Sequence, residues 1–322
     1  MMVLQNNEAA AAEARAEARA RAEAPERGPG RLPDFLIIGA AKCGTSTLFN
    51  YLGRHPDVFV TGTKEPDFFD PGMTWDKGLD WYRGLFAEAA ENQICGEAST
   101  HHARAPQVMH VPDRMIEIVP DIKLIYMMRN PVDRAHSHYV HRHTKEIYPG
   151  QPFVKTFEEF VIDEPVCLDS GEYMMQINDF LRVFPREQFL FLLLDDVKSN
   201  PKAVLEETRE FLGLSPFDFF AEGPLVANSA KEMIDHRVRM GINGPLKNIP
   251  VLGPLATFLC PTPLKNAIYK LAAKTPRAQK VKESFDPPPM LPETRAELVE
   301  RYREGVDALA EFLGRDLSHW HQ

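Results

Sequence analysis

The stretch Phe35-Leu36-Ile37-Ile38-Gly39-Ala40-Ala41-Lys42-Cys43-Gly44-Thr45-Ser46-Thr47 decides the fold. Four apolar residues in a row that end on a glycine predict a short strand buried on both faces, as in a parallel sheet. From Thr45 the period changes. Leu48, Tyr51 and Leu52 fall at i, i+3 and i+4, so a helix follows and ends before Pro56. The turn between strand and helix is built of small residues, which let the backbone wrap an anion. Free N–H groups at the helix start point at that anion, and the helix dipole favours its negative charge. Lys42 adds a mobile cation, and Thr45, Ser46 and Thr47 add hydroxyl donors. Lys42, Cys43, Gly44, Thr45, Ser46 and Thr47 are therefore candidate binding residues for a phosphate-like group.

Outward from this turn the pattern repeats. Ile122–Met128 predicts a second buried strand, followed at once by polar residues and a helical stretch. Phe189–Leu194 predicts a third. Asn200-Pro201 then opens a helix, with Asn at the cap and Pro in the first turn. Val204, Leu205, Thr208, Phe211 and Leu212 line one face, and Gly213 ends it. A last helix starts near Pro292, with Leu298, Tyr302, Leu309 and Phe312 inward. Strands alternating with helices predict an α/β fold, a three-layer arrangement with a central parallel sheet flanked by helices. Such sheets bind ligands beyond the carboxyl ends of their strands, which puts Lys42 and Arg129 on one rim. Residues 1–33 form a low-complexity Ala/Glu/Arg tail, read as solvated, and the folded domain spans 34–322. Residues 223–290 have weak periodicity and are expected to be irregular cover.

The chain has 322 residues, with 37 Lys+Arg against 46 Asp+Glu and a formal charge of −9. An acidic balance argues against general nucleic-acid binding, which needs a basic face. The four cysteines, Cys43, Cys95, Cys167 and Cys260, are scattered without a C-x-x-C pair, which argues against a disulfide framework or a zinc site. No apolar run is long enough to span a bilayer; Val251–Leu264 is broken by Gly253, Pro254, Pro261 and Pro263. The first residues lack the apolar core of a secretory signal. A cytoplasmic location is expected on these grounds.

Gly39 and Gly44 have the spacing of a nucleoside-triphosphatase P-loop, G-x-x-x-x-G-K-[ST], but Thr45 stands where that motif has its lysine. The second strand runs into Arg129-Asn130 rather than an acidic metal-holding residue. The site is therefore expected to neutralise anions with protein cations and to need no metal. A P-loop kinase or nucleotide hydrolase is the alternative. Arg129 lies at the rim beside Lys42, and Ser137, two turns into the next helix, can return a hydroxyl. An arginine and a serine together suit a phosphate monoester.

The combination resembles the sulfotransferases that use 3′-phosphoadenosine-5′-phosphosulfate (PAPS), and most of all the heparan sulfate N- and O-sulfotransferases and their bacterial relatives. Supporting stretches are Lys64-Glu65-Pro66-Asp67-Phe68-Phe69-Asp70, Lys77-Gly78-Leu79-Asp80-Trp81-Tyr82, Gly96-Glu97-Ala98-Ser99-Thr100 and Leu313-Gly314-Arg315-Asp316-Leu317-Ser318-His319-Trp320. The resemblance implies PAPS as co-substrate, its 5′-phosphosulfate in the Lys42–Thr47 loop and its 3′-phosphate on Arg129 and Ser137. It implies Glu65 as the base that takes the acceptor's proton, while Lys42 stabilises the leaving group. Glu97, His101 and His102 are second choices for the base. The heparan enzymes carry a lysine after the glutamate of their Gly-Glu pair, where this chain has Ala98. Arg277, Lys280 and Lys282 are the basic candidates for a loop closing over the nucleotide. The expected acceptor is a hydroxyl or amine of a carbohydrate, glycolipid or small metabolite. An oligomerisation helix is the other reading of the N-terminal tract, which would make the chain a homo-oligomer.

Overall fold

Strand β1 (Phe35–Gly39) is buried at all five positions, as a strand with neighbours on both sides and cover on both faces must be. The computed structural model describes residues 30–147, 152–225, 283–284 and 286–322. Within them β1 is the centre of a sheet completed by β2 (Val58–Val60), β3 (Ile94–Ala98), β4 (Lys123–Met128) and β5 (Phe189–Leu193). The order is β2-β3-β1-β4-β5 and every pairing is parallel. Helices flank the sheet, and the fold is P-loop-like. The chain crosses from one side of β1 to the other between β3 and β4. The carboxyl ends of β1, β3 and β4 thus frame the crevice where such sheets bind ligands.

The three strands expected from apolar runs are present. β2 and β3 were not expected. β2 is only three residues long, and β3 reads Ile-Cys-Gly-Glu-Ala, neither an apolar run nor a clean alternation. The reason for Gly96 is steric. A Cβ there would stand 2.0 Å from Cζ of Phe35, its paired neighbour on β1. The ring of Phe35, fully buried, occupies the space that a side chain on β3 would take.

Local signals hold at the helix ends. Asn200 Oδ1 accepts the Ala203 N–H at 3.2 Å, Pro201 opens the helix Pro201–Leu212, and Gly213 closes it at φ 76°. Val204, Leu205, Thr208 and Leu212 are buried, with Phe211 only half-buried. The helix Pro292–Leu313 buries Leu298, Val299, Tyr302, Val306 and Leu309, while Phe312 stays half-buried with its ring edge-on to Phe191.

The chain divides into two compact units. One holds the sheet and comprises the described residues up to Ala135, Pro165–Leu225 and Arg295–Gln322; the other comprises His136–Glu164 and 226–294. In the described part of the second unit, Tyr139 is packed by the rings of His136, His143, Phe153, Phe157 and Phe160. His138 and His143 are buried. Residues 1–29, Cys260, Arg277, Lys280, Lys282 and the Val251–Leu264 stretch lie outside the described residues, as does most of the expected irregular cover. Among the described residues no helix is long and apolar enough to cross a membrane.

The Phe35–Gly96 contact yields a test. Gly96→Val should destabilise the chain by roughly 1–3 kcal/mol through overpacking. Pairing it with Phe35→Ala should recover part of the loss, as read by denaturant unfolding. Additive losses in the double variant would contradict the contact.

Candidate active site

Three loops meet at the carboxyl ends of the strands. The first leaves β1. Its Ala40 N–H bonds to Met127 O of β4 at 2.7 Å, so the loop is tied to the neighbouring strand before it turns. Lys42 then takes φ 73° and Gly44, the cap of the helix Thr45–Leu52, takes φ 91°. Two left-handed residues two positions apart curl the backbone into a concave turn. At Gly44 it is this positive φ that calls for glycine; a Cβ there would meet only the tip of Leu194, at 2.9 Å. No side chain caps this helix. The N–H groups of its first turn, at Thr45 and Ser46, have no intrahelical acceptor and are available to an anion. Thr45 is buried, Ser46 exposed and Thr47 half-buried. Cys43 is fully buried with its thiol 3.8 Å from Tyr173 Oη, and burial pushes the thiol up to about 11, so it is a packing residue at neutral pH.

The second loop leaves β4. A guanidinium N–H of Arg129 donates to Lys42 O at 3.5 Å, so both expected cations stand at one place. The proton affinity of Lys42 reports the same proximity. It is lowered by burial, then by the charge of Lys64, against Glu65, with Arg129 lowering it further. Asn130 Oδ1 accepts the N–H groups of Val132 and Asp133 at 2.9 and 3.2 Å and so caps the helix Pro131–His141. Arg134 on that helix is fully buried and donates to Cys167 O. Ser137 is on the continuation of the same helix but belongs to the second unit.

The third loop follows β2 and is tied to β3 through Glu65 N–H to Ala98 O at 3.0 Å. Glu65 and Asp67 sit at φ 60° and 52°, left-handed conformations that non-glycine residues adopt only at a cost. Two contacts pin this turn: Asp67 N–H donates to Ser99 Oγ at 3.0 Å, and Ser99 Oγ–H donates to Glu97 Oε2 at 2.6 Å. The Glu65 carboxylate is exposed at the rim and accepts from Lys64 Nζ at 2.7 Å and Thr100 Oγ1 at 3.5 Å.

The other acid–base candidates are engaged or buried. Glu97 is fully buried, with Tyr82 Oη and Ser99 Oγ donating to its two oxygens; burial pushes it up to about 8. His102 is buried with both ring nitrogens unpartnered, and burial drives it down to about 3. Arg104 has only donors, so its 2.8 Å contact makes His101 Nε2 the acceptor; Nδ1–H then donates to Asp70 at 3.1 Å. Both nitrogens of His101 are thereby occupied. Phe68, Phe69 and Tyr82 are core residues, and the half-buried Trp81 carries Lys77 Nζ over its ring at 4.4 Å.

Two residues at the site were not singled out beforehand. Asn130 repeats the Asn-Pro cap signature read at Asn200 and was legible on that basis. Tyr173, whose hydroxyl donates to Arg129 O at 2.7 Å, gave no signal, because the contact spans 44 positions.

Comparison with known proteins gives the family. A family model described as a sulfotransferase domain matches residues 32–234, more than half of the chain. The chain belongs to the sulfotransferase family. It is 36% identical over 194 residues to the heparan sulfate glucosamine 3-O-sulfotransferase 6 of Mus musculus, covering 58% of this chain and 54% of that protein. To the bifunctional heparan sulfate N-deacetylase/N-sulfotransferase 2 of Bos taurus it is 30% identical over 203 residues, 58% of this chain and 22% of that one. The match thus spans about half the length of the 3-O-sulfotransferase and less of the bifunctional protein. Among solved structures, a sulfotransferase from Alicyclobacillus acidocaldarius superposes with a TM-score of 0.60 at 26% identity, covering 91% of this chain and all of that one.

These relatives correct one expectation. The heparan sulfate sulfotransferases are Golgi-lumenal enzymes, so the cytoplasmic location expected for this sulfotransferase does not stand. The cysteine argument fails for a physical reason. Cys43, Cys95 and Cys167 are buried packing residues, and thiols shielded in a core carry no record of the redox compartment.

The buried Glu97 gives a pH prediction. Its folded value lies near 8, above its ordinary 4.5. Between those values the folded state holds a proton that the unfolded state has lost. Stability therefore falls as pH rises through the window, by about 1.4 kcal/mol per pH unit for this group. Glu97→Gln should remove that decline in denaturant midpoints compared at pH 5 and pH 8. An unchanged slope would contradict the assignment.

Proposed function

We propose that the chain moves a sulfuryl group from PAPS to a hydroxyl of a carbohydrate acceptor. The observation that carries this reading is the proximity of Lys42, Arg129 and the exposed Glu65 on the loops that follow β1, β4 and β2 at the carboxyl rim of the sheet. The acceptor class is supported by the relatives, whose names specify heparan sulfate glucosamine. The P-loop kinase or hydrolase alternative shares the Gly39–Gly44 spacing but lacks that motif's lysine, since Thr45 stands in its place.

The residues suit the donor. Free amides at Thr45 and Ser46, with Lys42 beside them, form one anion site, and Arg129 supplies a second cation a short distance along the rim. When bound, PAPS supplies an activated sulfuryl group with a nucleotide phosphate as leaving group. Lys42 and the Gly44–Ser46 amides are aimed where negative charge grows on the leaving oxygen, and they need no reorganisation as it grows. Arg129 holds the 3′-phosphate and orients the nucleotide. Ser137 lies in the second unit, and its share in that phosphate is an implication of the family resemblance. Glu65 takes the proton of the attacking hydroxyl. Lys64, bonded to the same carboxylate, holds its orientation.

Glu65→Gln should lower transfer of labelled sulfate by roughly 10²- to 10⁴-fold. Binding of adenosine 3′,5′-bisphosphate (PAP) should be unchanged; retained turnover would remove Glu65 from the base role. Lys42→Ala should depress turnover at saturating donor while the thermal midpoint stays close to the parent's. Arg129→Ala should weaken PAP by roughly tenfold or more and leave adenosine 5′-monophosphate (AMP) nearly unaffected. Equal weakening of both nucleotides would refute the 3′-phosphate assignment.

A further inference from the structure

Arg129 is held from behind by residues far away in sequence. The hydroxyl of Tyr173 donates to Arg129 O at 2.7 Å and accepts from Arg129 N–H at 3.4 Å, so one phenol engages both backbone polar groups. The next residue, Asn130, is buried. Its Oδ1 caps the following helix, and its Nδ2–H donates to Trp320 O at 3.2 Å.

Trp320 belongs to the short 3-10 turn Ser318–His321. Its ring is 1% exposed and stands 6.3 Å, centroid to centroid, from that of Tyr173. Its indole N–H donates to Asp195 at 2.9 Å, and His319 contacts the same carboxylate oxygen at 3.3 Å. Asp195 is in the first turn of the helix Leu194–Ser199, directly after β5. Its neighbour Asp196 pairs with both terminal nitrogens of Arg315 at 3.0 and 3.1 Å, which anchors the segment leading into the turn. Further along, Arg295 takes Asp133 at 3.0 Å, while Arg129 sees the other oxygen of that carboxylate only at 3.9 Å. The guanidinium of Arg129 is thereby left loosely paired, while its backbone is firmly fixed.

We propose that the Trp320 turn is a latch that sets Arg129 for the nucleotide's 3′-phosphate, with Trp320 and Asp195 as positioning residues. The latch bridges β5 and β4. Asp195 fixes the indole, the backbone carbonyl of the same Trp320 accepts from Asn130, and the indole ring backs the Tyr173 phenol that clamps Arg129. None of these residues touches the ligand. The inference rests on the assignment of Arg129 to the 3′-phosphate, and its test separates the two.

The quantity to measure is the ratio of the AMP dissociation constant to that of PAP, by titration calorimetry on the full chain. Arg129→Ala is the reference and should collapse this ratio by roughly tenfold or more. Trp320→Ala should lower it by roughly threefold or more, with AMP binding unchanged. Asp195→Ala removes a half-exposed carboxylate with little risk to folding, and should shift the ratio in the same direction. If Arg129→Ala leaves the ratio intact, the assignment of Arg129 itself fails. If Arg129→Ala collapses the ratio but Asp195→Ala and Trp320→Ala keep the parent value, or weaken both nucleotides equally, the latch is overturned. Should Trp320→Ala not fold, the Asp195→Ala ratio decides.

Discussion

One backbone hydrogen bond, from Ala40 N–H to Met127 O, joins the two halves of the site. It extends the parallel pairing of β1 with β4 past the last regular residue and forces the loop carrying Lys42 to turn beside the strand that delivers Arg129. The Arg129 guanidinium then reaches Lys42 O at 3.5 Å, a second tie between the two loops. Burial is the main cause of the lowered proton affinity of Lys42, followed by the charge of Lys64, with Arg129 adding a smaller push in the same direction.

The acidic side of the site follows a different logic. Glu65 is held out at the rim on a turn with two left-handed residues, Glu65 and Asp67. Such backbone persists only when the surroundings over-determine it. Here Ser99 and the fully buried Glu97 do so, reaching from the end of β3 to the turn. Burial thus separates two neighbouring glutamates, Glu65 exposed at the rim and Glu97 enclosed and structural.

Much of this was legible in the sequence, for local reasons. The runs at Phe35, Ile122 and Phe189 became strands because residues buried on both faces must be apolar throughout. The Asn200-Pro201 start and the Gly213 stop carry their signal within a few positions. The anion loop was readable because its glycine, lysine and hydroxyls are contiguous. β3 was not readable as a strand, because Gly96 answers to a ring on β1 rather than to its own neighbours. The roles of His101 and His102 were also hidden. Only the positions of Asp70, Arg104 and the surrounding core remove them from acid–base duty. Tyr173 and Trp320 meet Arg129 and Asn130 across long stretches of chain, and no local pattern announces such pairs. The cellular location was misread because neither scattered cysteines nor the lack of an apolar span or signal core fixes a compartment.

The central claim is that Lys42 and Arg129 grip opposite ends of one nucleotide. The most direct measurement is a crystal structure of this chain with PAP bound. The account predicts the 5′-phosphate against Lys42 and the amides of Gly44–Ser46, the 3′-phosphate on the Arg129 guanidinium, and an open path from the 5′-phosphate to Glu65. A bisphosphate bound away from either cation, or one that touches Lys42 with its 3′-phosphate pointing away from Arg129, would contradict it.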